Sequence, residues 1–375
     1  MKRLAIILSC VLLFLASCSS KKEEDIVQPD NEGEQEISVI PNYSLSENQY
    51  KIMLPYRPSA ARGAITNQIS NRVDINELEE GLRRHSTDMF DPKKYVFEEG
   101  QYLSTEAVYD LIDSLNPKVK EKKKKEDKIK EHRKNPRVFS HVLEQNFLER
   151  KDNRVELVGV SIGISLKSVY KFQTEVGGPD YYEDISKDEM LKEGKKIAEK
   201  VLAEVREQVY DQEGIEDIPV MIALFREEEQ SSPVPGSFVA KTEVKQGEKK
   251  IGKWETLDEE HVMFPSNKAK DKYYEDYQKF KEFSDKLEEY FPNYVGIVGN
   301  GFYVKKDLNR MSVDVPIEFY GQGEVVGFTQ YAYGLVKEIF PNHYDFELEV
   351  TSADGVESVI FRQAGDEEPT VHIFN

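Results

Sequence analysis

The stretch RVELVGVSIGISLKSVY, residues 154–170, decides the fold class. Aliphatic side chains alternate in it with small or charged ones, so one face of an extended chain is apolar. The apolar face comprises Val158, Val160, Ile162, Ile164 and Leu166. This alternation predicts a long, half-buried β-strand.

Helical and extended patterns alternate on the C-terminal side of this strand. Helices are predicted at 188–210, 268–291 and 323–340, and strands at 218–225, 294–304, 312–320, 344–351 and 356–362. Asp354-Gly355 is a hairpin signal between the last two strands. The order predicts an α+β fold with a mixed or mainly antiparallel sheet packed by amphipathic helices. The recurrence of the cycle leaves open a division into two related subdomains.

The chain before residue 138 has a different character. Residues 18–36 are polar and predict a flexible tether, and residues 37–117 predict an N-terminal subdomain. Ser104–Leu115 is the clearest helix there, because Ser104 can cap its start and Pro117 follows its end. A basic linker is predicted at 118–137, and the main α+β domain at 138–375.

Composition excludes two broad classes of protein. The 375 residues are 32% charged, which does not suit a protein that crosses the membrane several times. The formal net charge is −19, whereas nucleic-acid binding needs a basic footprint. We therefore expect no nucleic-acid partner.

The N-terminus has the pattern of a lipoprotein signal peptide, residues 1–17. Two basic residues precede an apolar run over 4–16, which is short for a membrane span. The run ends Leu15-Ala16-Ser17-Cys18, the order of a lipobox, which predicts cleavage between Ser17 and Cys18 and lipidation of the Cys18 thiol. The alternative is an ordinary secretory signal in which this cysteine is accidental.

Cleavage before Cys18 has two consequences. It removes Cys10, so the mature chain keeps one cysteine and no disulfide within the chain is possible. Two acyl chains on Cys18 would give a stable anchor where one chain is marginal. We expect a protein anchored through diacylglyceryl Cys18 to the extracytoplasmic face of the cell membrane, with the bilayer and the lipoprotein-processing enzymes as partners.

The segment 118–137 is basic in an otherwise acidic chain. It holds eleven Lys or Arg and four Asp or Glu, a net charge of +7. One interpretation is contact with anionic lipid headgroups or wall polymers. The other, which we favour from sequence, is a solvated and partly helical connector.

No catalytic pattern in the sequence is convincing. Gly159–Gly163 matches G-x-S-x-G, but the strand alternation continues through Ser161 and leaves no turn for a nucleophile elbow. Gly321–Gly327 resembles a phosphate-binding loop only loosely, and a strand-to-helix turn suits it better. The six histidines have no ligand-type spacing. The sequence therefore predicts a non-enzymatic protein without catalytic residues, metal or cofactor.

Several blocks, in order, resemble the CamS family, lipoproteins of Gram-positive Firmicutes that are precursors of a cAM373-type sex pheromone. The resemblance covers about 138–362 together with the lipobox. The blocks are VFSHVLEQNFL (138–148), GVSIGISLKSVY (159–170), VPGSFVAKTEV (234–244), YFPNYVGIVGNGFY (290–303) and VPIEFYGQGEVVGFTQY (315–331).

The resemblance implies that the pheromone is a short peptide from the end of the signal peptide. The corresponding heptapeptide here is Val11-Leu12-Leu13-Phe14-Leu15-Ala16-Ser17, which would act on a peptide receptor. Its Phe-x-Ala-Ser ending is similar to the family's peptide, whereas Val11 and Leu12 differ from the usual Ala-Ile start. Two alternatives remain: a module that binds an envelope component or partner protein without a pheromone role, and an envelope hydrolase.

Overall fold

The computed structural model describes residues 25–29, 38–41, 49–64, 72–152, 154–210, 218–291, 296–319, 321–353 and 355–374. In this part of the chain, strands form two large sheets and one small hairpin, and helices pack on the sheets. Most neighbouring strands are antiparallel. The predicted α+β class is confirmed.

The first sheet contains nine strands of the described chain, and its longest members are β5 and β6. The strands run in the order β11-β10-β9-β6-β5-β4-β3, with β1 and β2 beside the end of β6. They are β1 (Asp25–Pro29), β2 (Ser38–Ile40), β3 (Lys51–Ile52), β4 (Val96–Glu99), β5 (Phe139–Lys151), β6 (Arg154–Lys167), β9 (Val220–Glu227), β10 (Ser237–Val244) and β11 (Glu255–Thr256). The small hairpin pairs β7 (Val169–Phe172) with β8 (Tyr181–Asp184).

Among the described residues, the four longest helices that accompany the first sheet are α1 (Arg72–Ser86), α2 (Thr105–Leu115), α3 (Lys125–Lys134) and α4 (Lys187–Tyr210). The start of α2 is as predicted, because the Ser104 hydroxyl accepts a hydrogen bond from the Ala107 N–H at 3.2 Å. Val108, Leu111 and Ile112 of α2 are buried, and α2 and α4 share one core cluster with β6.

Strand β6 is buried on both faces over residues 159–166, so the prediction of a half-buried strand is wrong there. The aliphatic side chains of β6 face α2 and α4, as the alternation indicates. The opposite face carries small residues because α1 lies close against it. Leu78 and Leu82 of α1 are so near that a Cβ on Gly163 would lie 3.2 Å from each.

The second sheet has six strands in the described residues, in the order β12-β13-β14-β15-β16-β17. These are β12 (Glu259–Phe264), β13 (Val298–Val304), β14 (Asp307–Pro316), β15 (Asp345–Ser352), β16 (Gly355–Arg362) and β17 (Thr370–Ile373). Three helices accompany them: α5 (Asn267–Lys272), α6 (Tyr274–Tyr290) and α7 (Gln322–Ile339). The predicted helix at 268–291 is thus two helices that meet at Tyr273, and Tyr273, Phe280 and Leu287 are buried in the core.

The two sheets repeat one topology. In the first, an antiparallel pair β5–β6 is followed by α4, then by β9 parallel to β6, then by antiparallel β10. In the second, the pair β13–β14 is followed by α7, then by β15 parallel to β14, then by antiparallel β16. β4 and β12 occupy matching outer positions beside β5 and β13. The two related subdomains left open by the sequence are present.

The strand pairing divides the chain differently from the predicted domains. Strands β3 and β4, within 37–117, belong to the same sheet as β5, so this segment is not a separate layer. The segment 138–375 is itself divided, because β11 ends the first sheet at Thr256 and β12 begins the second at Glu259. The basic segment 118–137 contains α3 and joins two elements of the first half.

Candidate functional site

The predicted lipidation and peptide residues lie outside the described part of the chain. These are Val11, Leu12, Leu13, Phe14, Leu15, Ala16, Ser17 and Cys18. Among the helices that the structure describes, none combines the length and apolar character that a bilayer span needs.

The basic segment is held against the β7–β8 hairpin by one face of α3. The His132 ring stacks on Phe172, with centroids 4.5 Å apart and planes 5° apart, and His132 Nδ1 lies 3.0 Å from the Tyr170 hydroxyl. Lys128 Nζ donates a hydrogen bond to the Thr174 carbonyl at 3.3 Å. Burial lowers the pKa of His132, so this ring is neutral at pH 7. The helix therefore has a fixed position on the fold.

Most of the other Lys and Arg side chains of residues 118–137 lie on the surface. Lys122, Arg133 and Arg137 lie near acids, at 3.7 Å from Glu131, 3.3 Å from Glu183 and 2.8 Å from Asp113 respectively. Six other lysines are exposed and have neither an ion-pair partner nor a ring contact among the described residues, whereas Lys125, also exposed, lies 5.9 Å from the centre of the Tyr181 ring. We call these six the basic surface: Lys118, Lys120, Lys123, Lys124, Lys130 and Lys134.

The chain enters the fold at the end of the β5–β6 pair that is farther from the basic surface. β1 runs parallel to β6, with Gln28 opposite Arg154 and Pro29 opposite Val155, next to the β5–β6 turn. α3 precedes β5 directly, at the opposite end of that strand. The thirteen residues of β5 span about 40 Å. The entry point and the basic surface thus lie at opposite ends of the first sheet.

The two glycine motifs have structural roles. Ser161 is in the middle of β6, opposite Gln145 and Met221, and its Oγ lies 2.8 Å from the Ser86 Oγ in the core. A nucleophile elbow needs a strained turn after the strand, which an uninterrupted ladder excludes. Gly321 immediately precedes α7, so the second motif is the start of a helix, as expected.

The histidines are dispersed, and the described residues contain no group of three or more His, Cys, Asp or Glu placed to hold a metal ion. His141, on β5, is fully buried and neither of its ring nitrogens has a hydrogen-bond partner in the described structure. Burial lowers its pKa to about 3, so it is neutral at physiological pH.

An open groove of about 310 Å³ lies between α2 and α4. Its acidic lining residues are Glu106 and Asp110 of α2 and Glu204 of α4. Glu106 and Asp110 are exposed to solvent. Hydrolysis by a pair of carboxyl groups requires one of them to stay protonated near neutral pH. Burial can raise the pKa of a carboxyl group enough for this, whereas exposure to solvent does not. The exposed carboxylates of this groove are therefore unsuited to that reaction.

The charged cluster that sequence reasoning missed lies between the two halves. Arg84 Nη2 of α1 is 2.9 Å from Glu77 Oε1 and 3.3 Å from Glu259 Oε2 of β12. His85 Nε2 lies 3.0 Å from Glu259, and His261 Nε2 lies 3.6 Å from Glu77. We call these five residues the junction cluster. Both carboxylates are almost completely buried, with side chains 5% and 3% exposed.

The electrostatics of the junction cluster favour ionised Glu77. Burial alone would raise the pKa of this carboxyl, but the neighbouring His261 and Arg84 outweigh burial and lower the pKa to about 2. The Arg84 guanidinium also lies 4.5 Å from the centre of the Phe302 ring. The cluster therefore joins α1 to the second sheet. The one sequence signal for it is the i, i+7 spacing of Glu77 and Arg84 on a helix face.

Comparisons with known proteins agree with this fold. The family model described as CamS sex pheromone cAM373 precursor matches residues 56–368. A crystal structure of a sex pheromone precursor from Lactobacillus salivarius is 28% identical, with a TM-score of 0.81, and the match covers 90% of this chain and 99% of that one. The C-terminal domain of the sex pheromone staph-cAM373 precursor from Staphylococcus aureus is 26% identical, with a TM-score of 0.68, over 82% of this chain and 98% of that one.

No curated protein matches the chain. The family model nevertheless spans well over half of the sequence, from the loop after β3 to the loop before β17. Both structural matches extend over nearly the whole of the solved chains. The chain therefore belongs to the CamS family of sex pheromone cAM373 precursors.

Proposed function

We propose that this protein is a surface lipoprotein anchored to the extracytoplasmic face of the cell membrane through diacylglyceryl Cys18, and that its cleaved signal peptide yields a signalling peptide. The observation that carries the proposal is family membership in a chain whose N-terminus reads Leu15-Ala16-Ser17-Cys18. The mature domain acts without catalysis in this proposal.

The peptide would be Val11–Ser17, which ends at the cleavage site. It is uncharged and apolar except for Ser17, so it would partition into a hydrophobic receptor pocket rather than depend on ion pairs. The lipoprotein-processing enzymes release it, and a peptide receptor on a responding cell binds it.

The anchor is tested by metabolic labelling with a palmitate analogue. We expect labelled protein in the membrane fraction, and loss of label and of membrane retention in Cys18→Ala. Cys10→Ala is the matched control, because it changes the other cysteine of the chain and leaves the lipobox intact. Unchanged labelling of Cys18→Ala would refute lipidation at this residue.

The peptide is tested separately with synthetic Val11–Ser17 in an assay of conjugative clumping by responder cells. We expect clumping, and no response to a scrambled peptide of the same composition. Inactivity of the native sequence at every concentration tested would remove the pheromone role and leave the anchor proposal intact.

A second candidate function is that of a module that binds an envelope component. The observation in its favour is the basic surface, six unpaired lysines on and beside a helix that the fold holds in place.

A further inference from the structure

We propose that the basic surface binds a phosphodiester polymer of the cell wall, at the end of the molecule remote from its membrane anchor. The proposal rests on the second candidate function and on anchoring at Cys18. It adds the chemical class of the partner and places the binding surface away from the anchored end of the molecule.

The surface is presented by folded structure. His132 packs flat on Phe172, and Lys128 is hydrogen-bonded to the β7–β8 hairpin, so one face of α3 is occupied by the protein itself. Lys130 and Lys134 are four residues apart on the same helix, which places them as neighbours on one face. Held on this helix, Lys130 and Lys134 lose less backbone conformational entropy on binding a polyanion than lysines of a loose tail would.

The charge of the surface is complementary to repeated phosphate groups. The six lysines lie within residues 118–134, whereas the whole chain has a net charge of −19. A linear polyanion can contact several of these lysines at once and release its condensed counterions. A compact anionic ligand would need convergent donors in a pocket, and the six lysines are exposed on α3 and the loop before it.

The location of the surface favours a polymer over the membrane that holds the protein. Cys18 is seven residues before Asp25, so the anchor reaches at most about 25 Å from the point where β1 enters the sheet. The basic surface is about 40 Å further along β5. Attraction to headgroups is screened beyond about 8 Å at physiological ionic strength, so the basic surface would contact the bilayer only if the long axis of the first sheet lay along the membrane. The acidity of the rest of the chain also opposes contact of the whole body with an anionic bilayer.

The experiment compares two anionic probes with full-length protein in non-ionic detergent. One probe is poly(glycerol phosphate) purified from Gram-positive cell walls, and the other is a vesicle of phosphatidylcholine and phosphatidylglycerol. The test variant carries Lys→Gln at positions 123, 124, 130 and 134. The matched control carries Lys→Gln at 249, 250, 253 and 270, four exposed lysines outside the segment.

We expect the wild type and the control to bind the polymer with a strong salt dependence, and the test variant to bind at least tenfold more weakly with a shallower salt dependence. Circular dichroism establishes that both variants are folded. Equal polymer binding by the two variants would overturn the proposal, as would vesicle binding through the same four lysines without polymer binding. A failure of lipidation is detected independently by palmitate labelling, since polymer binding in detergent does not require the anchor.

Discussion

At the scale of single residues, Arg84 is the cation that neutralises two buried carboxylates from different halves of the chain. Glu77 comes from α1 and Glu259 from β12, and each has an oxygen within 3.3 Å of Arg84 Nη2. Two carboxylates buried without a cation would each carry a large desolvation cost. Arg84 therefore stabilises the packing of α1 against the second sheet.

We predict that Arg84→Ala destabilises the protein by about 3 kcal/mol, because Glu77 and Glu259 lose their shared cation while remaining buried. The measurement is urea unfolding followed by circular dichroism. Arg133→Ala is the control, since its pair with Glu183 is solvent-exposed and should contribute less than about 1 kcal/mol. Equal effects of the two substitutions would contradict the role assigned to the junction cluster.

A second residue-scale prediction concerns Glu144 of β5. This carboxyl is fully buried, and burial raises its pKa from 4.5 to about 7 although it accepts hydrogen bonds from the Leu103 and Tyr102 N–H groups. Because its pKa is higher in the folded than in the unfolded state, its ionisation reduces stability as pH rises from 4.5 to 7. Glu77, with a folded pKa of about 2, acts in the opposite sense and stabilises the fold above pH 4.5.

We expect Glu144→Gln to abolish the Glu144 contribution to this pH dependence. The stability of the variant relative to wild type should increase by about 3 kcal/mol between pH 4.5 and pH 7.5. Urea unfolding across that range is the measurement. Parallel stability profiles of the variant and the wild type would show that Glu144 titrates normally in the folded protein.

At the scale of elements, the glycines of β6 explain how α1 and the following loop approach the sheet. A Cβ on Gly159 would lie 2.0 Å from Phe90 Cε1, and the Phe90 ring is already stacked on Phe147 with centroids 4.3 Å apart. At Gly163 the nearest atoms are the flexible ends of Leu78 and Leu82, at 3.2 Å. The G-x-S-x-G pattern is therefore a packing surface of a strand.

We predict that Gly159→Ala destabilises the fold by about 3 kcal/mol, because the stacked Phe90 ring must move. Gly163→Ala is the matched substitution in the same strand and should cost less than about 1 kcal/mol, since leucine side chains adjust more easily. Thermal unfolding of the two variants is the measurement. A larger loss for Gly163→Ala would show that α1, and not Phe90, sets the closest approach to β6.

The sequence predicts an element accurately where the residues that specify it lie close together along the chain. The helix α2 was predicted accurately because its cap, Ser104, and its buried positions all lie within one short segment. The small residues of β6 were assigned to solvent because nothing local shows that α1, more than seventy residues earlier, covers them. The junction cluster was missed for the same reason, since Glu77 and Glu259 meet only in the tertiary structure.

At the scale of the whole molecule, two copies of one topology are joined by a very short connection. Only Leu257 and Asp258 separate β11 from β12. The composition of residues 118–137 predicts a linker there, whereas the connection between the two sheets, residues 257–258, is too short to have a linker composition. The main core of the second half draws only on residues 262–360, with its own sheet and helices.

We predict that residues 257–375 fold as an independent unit, because their core is complete without the first half. The purified fragment should unfold cooperatively in urea and show a dispersed NMR spectrum. The same fragment with Phe328→Ala, which empties the centre of this core, is the control and should be unfolded or much less stable. A wild-type fragment without cooperative unfolding would show that the junction cluster is essential to the second half.

The pairing of β1 with β6 also has a mechanical consequence. Backbone hydrogen bonds in a sheet run perpendicular to the strands. A pull applied at Asp25 in line with β1 acts along the strand axis, because β1 runs parallel to β6 and antiparallel to β2. The hydrogen bonds from β1 to β2 and β6 are then loaded in shear and must break together. A protein held at this end and dragged at the other by a bound polymer would resist extension at its first strand.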